Sequence, residues 1–227
     1  MGRRSQEVRM DLLSTFTDIA RQAGFELPPE LAAWYRSGVA GTPDGAAMAA
    51  VYDFEWLDPE DSQRDIDEWL NPAAQNGNRY FPFAQSGAGD AYCLVRLADG
   101  REGVACVWHD DDESRLDHAS FADFVAASHL SSFADLSHLD GDADDLAAAV
   151  RASLNSSTAA LPAPHAEALL APARQAVTQQ PYKTGPKARP TLVPALLPQD
   201  DAEARAARFR VPEPVVFGVV AQWEIEA

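Results

Sequence analysis

Two cysteines in 227 residues are too few for a disulfide framework. Basic residues are scarce too: 18 Lys and Arg stand against 35 Asp and Glu, a net charge of −17. No apolar run approaches the roughly 20 residues that a membrane span needs, and Met1–Thr17 holds an Arg pair but no apolar h-region. The opening Met1-Gly2-Arg3-Arg4-Ser5-Gln6 misses the myristoylation pattern, because Gln6 stands where Ser or Thr belongs. Together these absences predict a cytoplasmic protein, neither exported nor anchored, with reduced thiols. An acidic field of this strength repels nucleic acid and anionic membrane, so neither is expected as a partner.

The motifs of catalysis are missing as well. Ser86-Gly87-Ala88-Gly89-Asp90 has the glycine spacing of a phosphate cradle, but a strand follows instead of a helix. It also lacks a third glycine or a lysine, and Asp90 would repel phosphate. A tight strand connection with positive φ at its glycines is the better reading. His109-Asp110-Asp111-Asp112-Glu113, with His118 nearby, has no spacing that sets defined ligands on one ion, and reads as a solvated acidic loop. Asp140, Asp142 and Asp144 begin like a calcium loop, yet Asp145 replaces its glycine and Arg151 its bidentate acid. The five histidines form no metal-ligand motif, and no Gly-x-Ser-x-Gly elbow is present. No cofactor, metal or catalytic residue is therefore expected.

What the chain does have is a 46% hydrophobic content, enough for a packed core, and an uneven charge map. Asp44–Val150 carries 23 acidic and 5 basic residues, while the flanking segments are nearly neutral. Such a surface speeds encounter with a basic protein, although it also serves plain solubility. Any of the five tryptophans exposed beside it would be a binding anchor.

Val8, Leu12, Phe16, Ile19, Ala20 and Ala23 fall at helical spacing before Gly24. Leu31, Trp34 and Tyr35 mark a second helix between Pro28-Pro29 and Gly38. Asp58-Pro59-Glu60-Asp61 starts a third, with Ile66, Trp69 and Leu70 buried. Tyr80–Phe83 and Ala91–Leu97 read as strands, and Asp99-Gly100 as a hairpin turn into a further strand. A two-residue turn there sets Cys93 opposite Cys106, which admits a cross-strand disulfide, although a reducing compartment favours thiols. Ser120 and Asp123 begin another helix with Phe121, Phe124 and Val125 inward, and Asp142–Leu154 one more with Leu146, Ala149, Val150 and Leu154 as its stripe. Beyond it, Asn155–Gln180 allows only short helical pieces, Pro181–Pro198 reads as an extended basic crossing loop, and Pro214–Glu226 as a final strand.

The order of "LPPELAAWYRSG", "YFPFAQSGAGDAYCLV", "GVACVWHDDDES" and "ASFADFVAAS" resembles the SUKH superfamily of Smi/Knr-like domains, over roughly Phe25–Ser128. The resemblance implies an α+β fold, a twisted and mainly antiparallel sheet with packed helices. A SUKH-like domain is accordingly expected at residues 1–130, and the residues beyond it read as an irregular helical, Pro-rich extension at 131–227, packed on the same domain and ending in a strand. It further implies a non-enzymatic immunity protein that neutralises a cognate bacterial toxin, here a basic nuclease or deaminase, by covering its surface. The charge map places the contact at Asp110, Asp111, Asp112, Glu113 and Asp117, with Asp58, Glu60 and Asp61 as the second choice. A housekeeping scaffold or regulator with an endogenous partner is the alternative under the same resemblance, and an acidic enzyme with an unrecognised site the alternative outside it.

Overall fold

The computed structural model describes residues 2–225, with side chains from Leu12 onward. Its helices are α1 (Gly2–Ala23), α2 (Pro29–Ser37), α3 (Pro59–Glu68), α4 (Phe121–Ser132), α5 (Ala143–Ser157), α6 (Ala163–Leu170), α7 (Gln199–Ala206) and α8 (Gln222–Ile225). Its strands are β1 (Glu55–Trp56), β2 (Arg79–Gln85), β3 (Ala91–Arg96), β4 (Glu102–Val107), β5 (Glu113–Leu116), β6 (Thr178–Tyr182), β7 (Thr191–Ala195) and β8 (Val215–Gly218). All pairings are antiparallel, and the fold is α+β as expected. The chain divides into two compact units. One holds the residues up to Gly45, Asp53–Phe121 and those from Glu213; the other holds Ala46–Tyr52 and Ala122–Pro212.

In the first unit β1-β2-β3-β4 form one sheet buried on both faces. Phe16, Ile19, Ala20 and Ala23 form the buried stripe of α1, and Val8 lies outside the residues whose side chains are described. Leu31, Trp34 and Tyr35 of α2 are buried, and the helix stops at Gly38, whose φ of +72° suits a residue without Cβ. Phe16 stacks on Tyr35 at 4.0 Å between centroids and meets Phe81 edge-on, joining both helices to one sheet face. A bulge between Pro82 and Ala84 lets Phe83 pack with Trp56 and Phe121. The other face carries Tyr80, Cys93, Val95, Ala105 and Val107 against Trp69, Leu70, Leu116, Phe217 and Val219.

The β3–β4 register differs from the expected one. Cys93 stands opposite Ala105, and Cys106 opposite Tyr92. The turn contains three residues, Ala98, Asp99 and Gly100, because the Leu97 N–H donates to the Arg101 carbonyl (2.8 Å) and Gly100 takes φ +89°. A type I turn closed by a glycine bulge is the usual form at that length. The one-residue slip puts the two sulfurs on opposite faces, and both are free thiols.

In the second unit the segment Ala46–Tyr52 is held by serines. The N–H groups of Met48, Ala50 and Tyr52 donate to the hydroxyls of Ser157 (3.0 Å), Ser153 (3.2 Å) and Ser132 (3.0 Å). These serines lie in α4 and α5, so three alternate amides of an irregular segment find partners without a strand. Asp142 caps α5 in a reciprocal box with Asp145. Ala147, not Ala149, shares the buried stripe with Leu146, Val150 and Leu154; Ala149 is exposed. Pro181–Pro198 is not a crossing loop: β6 and β7 make a hairpin with Pro181 opposite Leu192 and Gln179 opposite Pro194. A two-stranded ribbon has only edges, where a missing amide hydrogen costs little. The expected final strand is short, β8, and gives way to the single turn α8.

Candidate functional site

The acidic loop grows out of a ribbon. β5 pairs with β8, with Ser114 and Phe217 turned inward and Glu113 and Arg115 outward. The ladder continues past the strand ends, as the Val219 N–H donates to the Asp112 carbonyl (2.8 Å) and the Gln222 N–H to the His109 carbonyl (2.9 Å). Within the loop the Trp108 N–H donates to Ser114 Oγ (3.2 Å) and the Asp112 N–H to Asp111 Oδ1 (2.8 Å). Asp110, Asp111 and Asp112 are exposed on a loop whose backbone is tied at both ends, and Glu113 is exposed at the start of β5. Among the described residues no basic side chain pairs with any of the four.

The Ser86–Asp90 turn holds the base of this loop. Asp90 Oδ1 accepts from the backbone N–H of His109 (3.3 Å) and lies 2.9 Å from His109 Nδ1. Asp90 Oδ2 accepts from Ser86 Oγ (3.1 Å), which itself accepts from the N–H groups of Ala88 and Asp90. The Gly87 N–H donates to Asp53 Oδ1 (2.7 Å). Gly89 has a positive φ of +95°, whereas Gly87 does not. The turn's amides are therefore used internally or by Asp53, and its job is to present Asp90 to His109. Asp90, His109 and Asp110 each place one ligand-type atom within 4.8 Å of the others. The Asp90–His109 contact has the length of an ordinary hydrogen bond, so protein groups already serve that pair.

The remaining candidates are placed differently. Asp117 is half-buried and, after Asp90 and Asp53, is the third carboxylate whose charge bears on Cys106. Burial first, then those three acids, push the Cys106 thiol up to about 12. Burial also holds Cys93 well above the ordinary thiol range, so neither cysteine is an activated nucleophile. Asp58 is engaged as the N-cap of α3, accepting from the Asp61 N–H (2.9 Å), and Asp61 pairs with Arg64 (2.6 Å). Glu60 alone of that trio is exposed. α3 packs along β2, and Ser62 Oγ donates to the Pro82 carbonyl, while β5 follows β4 through the bridge between Val104 and His118. The two acidic groups are thus borne by different elements, one by α3 against β2 and the other by the loop before β5, which lies beside β4.

A Ser–His contact is present among the described residues, Ser157 Oγ to His129 Nε2 at 3.1 Å, but both residues are 0% exposed. Burial pushes the His129 imidazole down to about 3, keeping it neutral, and the serine hydroxyl donates to the Ser153 carbonyl. This is a structural pair. The hydrogen bonds from Val219 and Gln222, and the Asp90 anchor, join positions far apart in the chain, and no local pattern in the sequence signals them. No described helix is long and apolar enough to cross a membrane.

The profile of the SMI1 / KNR4 family (SUKH-1) matches residues 13–127, just over half of the chain and the stretch from α1 into α4. Comparison with curated proteins gave no match, and neither did comparison with solved structures.

Proposed function

The chain belongs to the SMI1 / KNR4 family (SUKH-1), and from that premise we propose that it is a cytoplasmic immunity protein that binds and neutralises a cognate bacterial toxin. The observation that carries the reading is the set of four exposed, unpaired carboxylates, Asp110–Glu113, on a loop with tied ends and the first residue of β5. Fixed like charges of this kind raise the on-rate for a basic protein, and pairing relieves their mutual repulsion. A toxin that acts on nucleic acid offers the matching surface, a basic cleft, so a nuclease or deaminase is the toxin class proposed. Neutralisation is by occlusion and needs no chemistry from this chain, in keeping with its raised thiols and its buried Ser–His pair. In this reading residues 1–130 supply the binding domain, and the extension 131–227 lends β8 and the residues after it to brace the acidic loop.

The test is rescue. The polypeptide encoded immediately upstream is expressed in a sensitive host with this chain or with its Asp110, Asp111 and Asp112 to Asn variant. Rescue by the parent and weakened rescue by the variant support the proposal. Equal rescue keeps the immunity role but removes the loop as its surface, and no rescue shifts the reading to a scaffold with an endogenous partner.

A further inference from the structure

The ribbon that braces the acidic loop also holds an aromatic side chain out into solvent. Trp223, in α8, is 63% exposed, whereas Trp34, Trp56 and Trp69 are buried in the core. An indole left in water at this level is held there by its neighbours on both sides. Just before it, the Gln222 N–H donates to His109, the residue that opens the acidic loop. Two residues after it, Ile225 packs against the cluster of Trp69, Leu70, Cys93 and Phe217. Residues two apart on one helical turn point to different sides, so seating Ile225 inward turns Trp223 outward.

The segment leading to α8 is fixed by buried amide side chains. Gln75, 0% exposed, accepts from the Val220 N–H (2.9 Å) through Oε1 and donates to the Val220 carbonyl (2.8 Å) through Nε2. Asn78 Nδ2 donates to the Gly218 carbonyl (3.3 Å). Residues 218–222 are thus bonded from one side by Gln75 and Asn78 and from the other by Asp112 and His109. A backbone so constrained has little ordering entropy left to lose on binding.

We infer that Trp223 is the apolar anchor of the partner-binding surface, entering an apolar slot on a basic protein whose cationic rim meets Asp110, Asp111 and Asp112. The inference rests on the function proposed above and identifies the occupant by charge: four unpaired carboxylates beside an exposed indole match an apolar pocket ringed by Lys or Arg. Interfaces concentrate their energy in aromatic anchors, while surrounding charges govern approach. Trp223 therefore controls how long the complex lasts, and the aspartates control how fast it forms.

The probe is the upstream-encoded polypeptide, purified after a substitution that abolishes its toxicity, with association and dissociation rates measured against the full chain. Trp223→Ala is expected to speed dissociation by about 30-fold, with association changed less than about threefold, and Trp223→Phe to recover most of the loss. Changing Asp110, Asp111 and Asp112 to Asn is expected to slow association instead. Acrylamide quenching gives a second readout: Trp223, far more exposed than the half-buried Trp108, becomes protected in the complex, and that gain in protection is missing in Trp223→Phe. If Trp223→Ala has an unaltered thermal midpoint and binds like the parent while the Asn variant binds weakly, the anchor is wrong and the proposed function stands. If Trp223→Ala loses its fold, a Trp223 indole that stays as quenchable in the parent complex as in the free chain overturns the anchor. If the parent chain does not bind the probe, the reading on which the anchor rests fails, and the anchor with it.

Discussion

Asp65 offers a quantitative test of how the first unit is held together. It is half-buried in α3, and its charge bears on Cys93 in the core cluster beneath. Burial, aided by the like charges of Asp61 and Glu68 and opposed by Arg64, pushes its carboxyl up to about 6. In the unfolded chain the same group titrates near 4. The folded state therefore holds this proton more tightly, so the group's contribution is fully present below about pH 4 and is lost as pH rises through about 6. At roughly 1.4 kcal/mol per tenfold change in proton affinity, the gap is worth at most about 3 kcal/mol. Because part of the carboxyl meets solvent, screening reduces this to about 1–2 kcal/mol. Asp65→Asn keeps the shape and removes the charge, so it should stabilise the protein by about 1–2 kcal/mol at pH 7.5 and by under about 0.5 kcal/mol at pH 4. Urea unfolding followed by tryptophan fluorescence, for parent and variant at several pH values, isolates the term as the difference between two curves. A difference that stays flat between pH 4 and 7.5, or a variant less stable at pH 7.5, would refute the reasoning.

Three further outcomes are expected. Ser157→Ala leaves the buried Met48 N–H without its acceptor and should cost about 1–3 kcal/mol in chemical denaturation; a loss under about 0.5 kcal/mol would mean that the serine clamp is dispensable. Gly103→Ala should destabilise by more than about 2 kcal/mol, because a Cβ there runs into the Leu116 side chain and the His118 carbonyl; an unchanged melting temperature would show that β4 and β5 part easily. Cys93 and Cys106 should react with a thiol-specific disulfide reagent at pH 8 far more slowly than a free peptide cysteine, and rapid labelling of the native chain would contradict the burial assigned to them.

The helices of the first unit were legible because their signals are local. Apolar spacing, Pro29 and Gly38 define α2, and Asp58 with Pro59 starts α3 as its side-chain oxygen requires. The β3–β4 register was not legible, since Asp99-Gly100 serves a two-residue or a three-residue turn, and the choice moves every cross-strand pair by one. Proline density concealed β6 and β7, because the argument that proline breaks a sheet applies to central strands and this ribbon has none. In the candidate site the exposed run Asp110–Glu113 could be read as charge, but its bracing could not. Asp90, Gln75 and the backbone of residues 218–222 reach it from elsewhere in the chain. Asp58 and Asp61 carry the same charge in sequence yet are engaged by a helix start and by Arg64.

The most direct test of the central claim is the association rate with the inactivated upstream-encoded polypeptide, measured by stopped flow from about 50 to 500 mM salt. If Asp110, Asp111 and Asp112 steer a basic partner, the rate for the parent falls steeply with salt, and the triple Asn variant starts about tenfold lower with a flatter slope. Parallel salt curves for the two proteins would contradict the assignment of partner recognition to this loop.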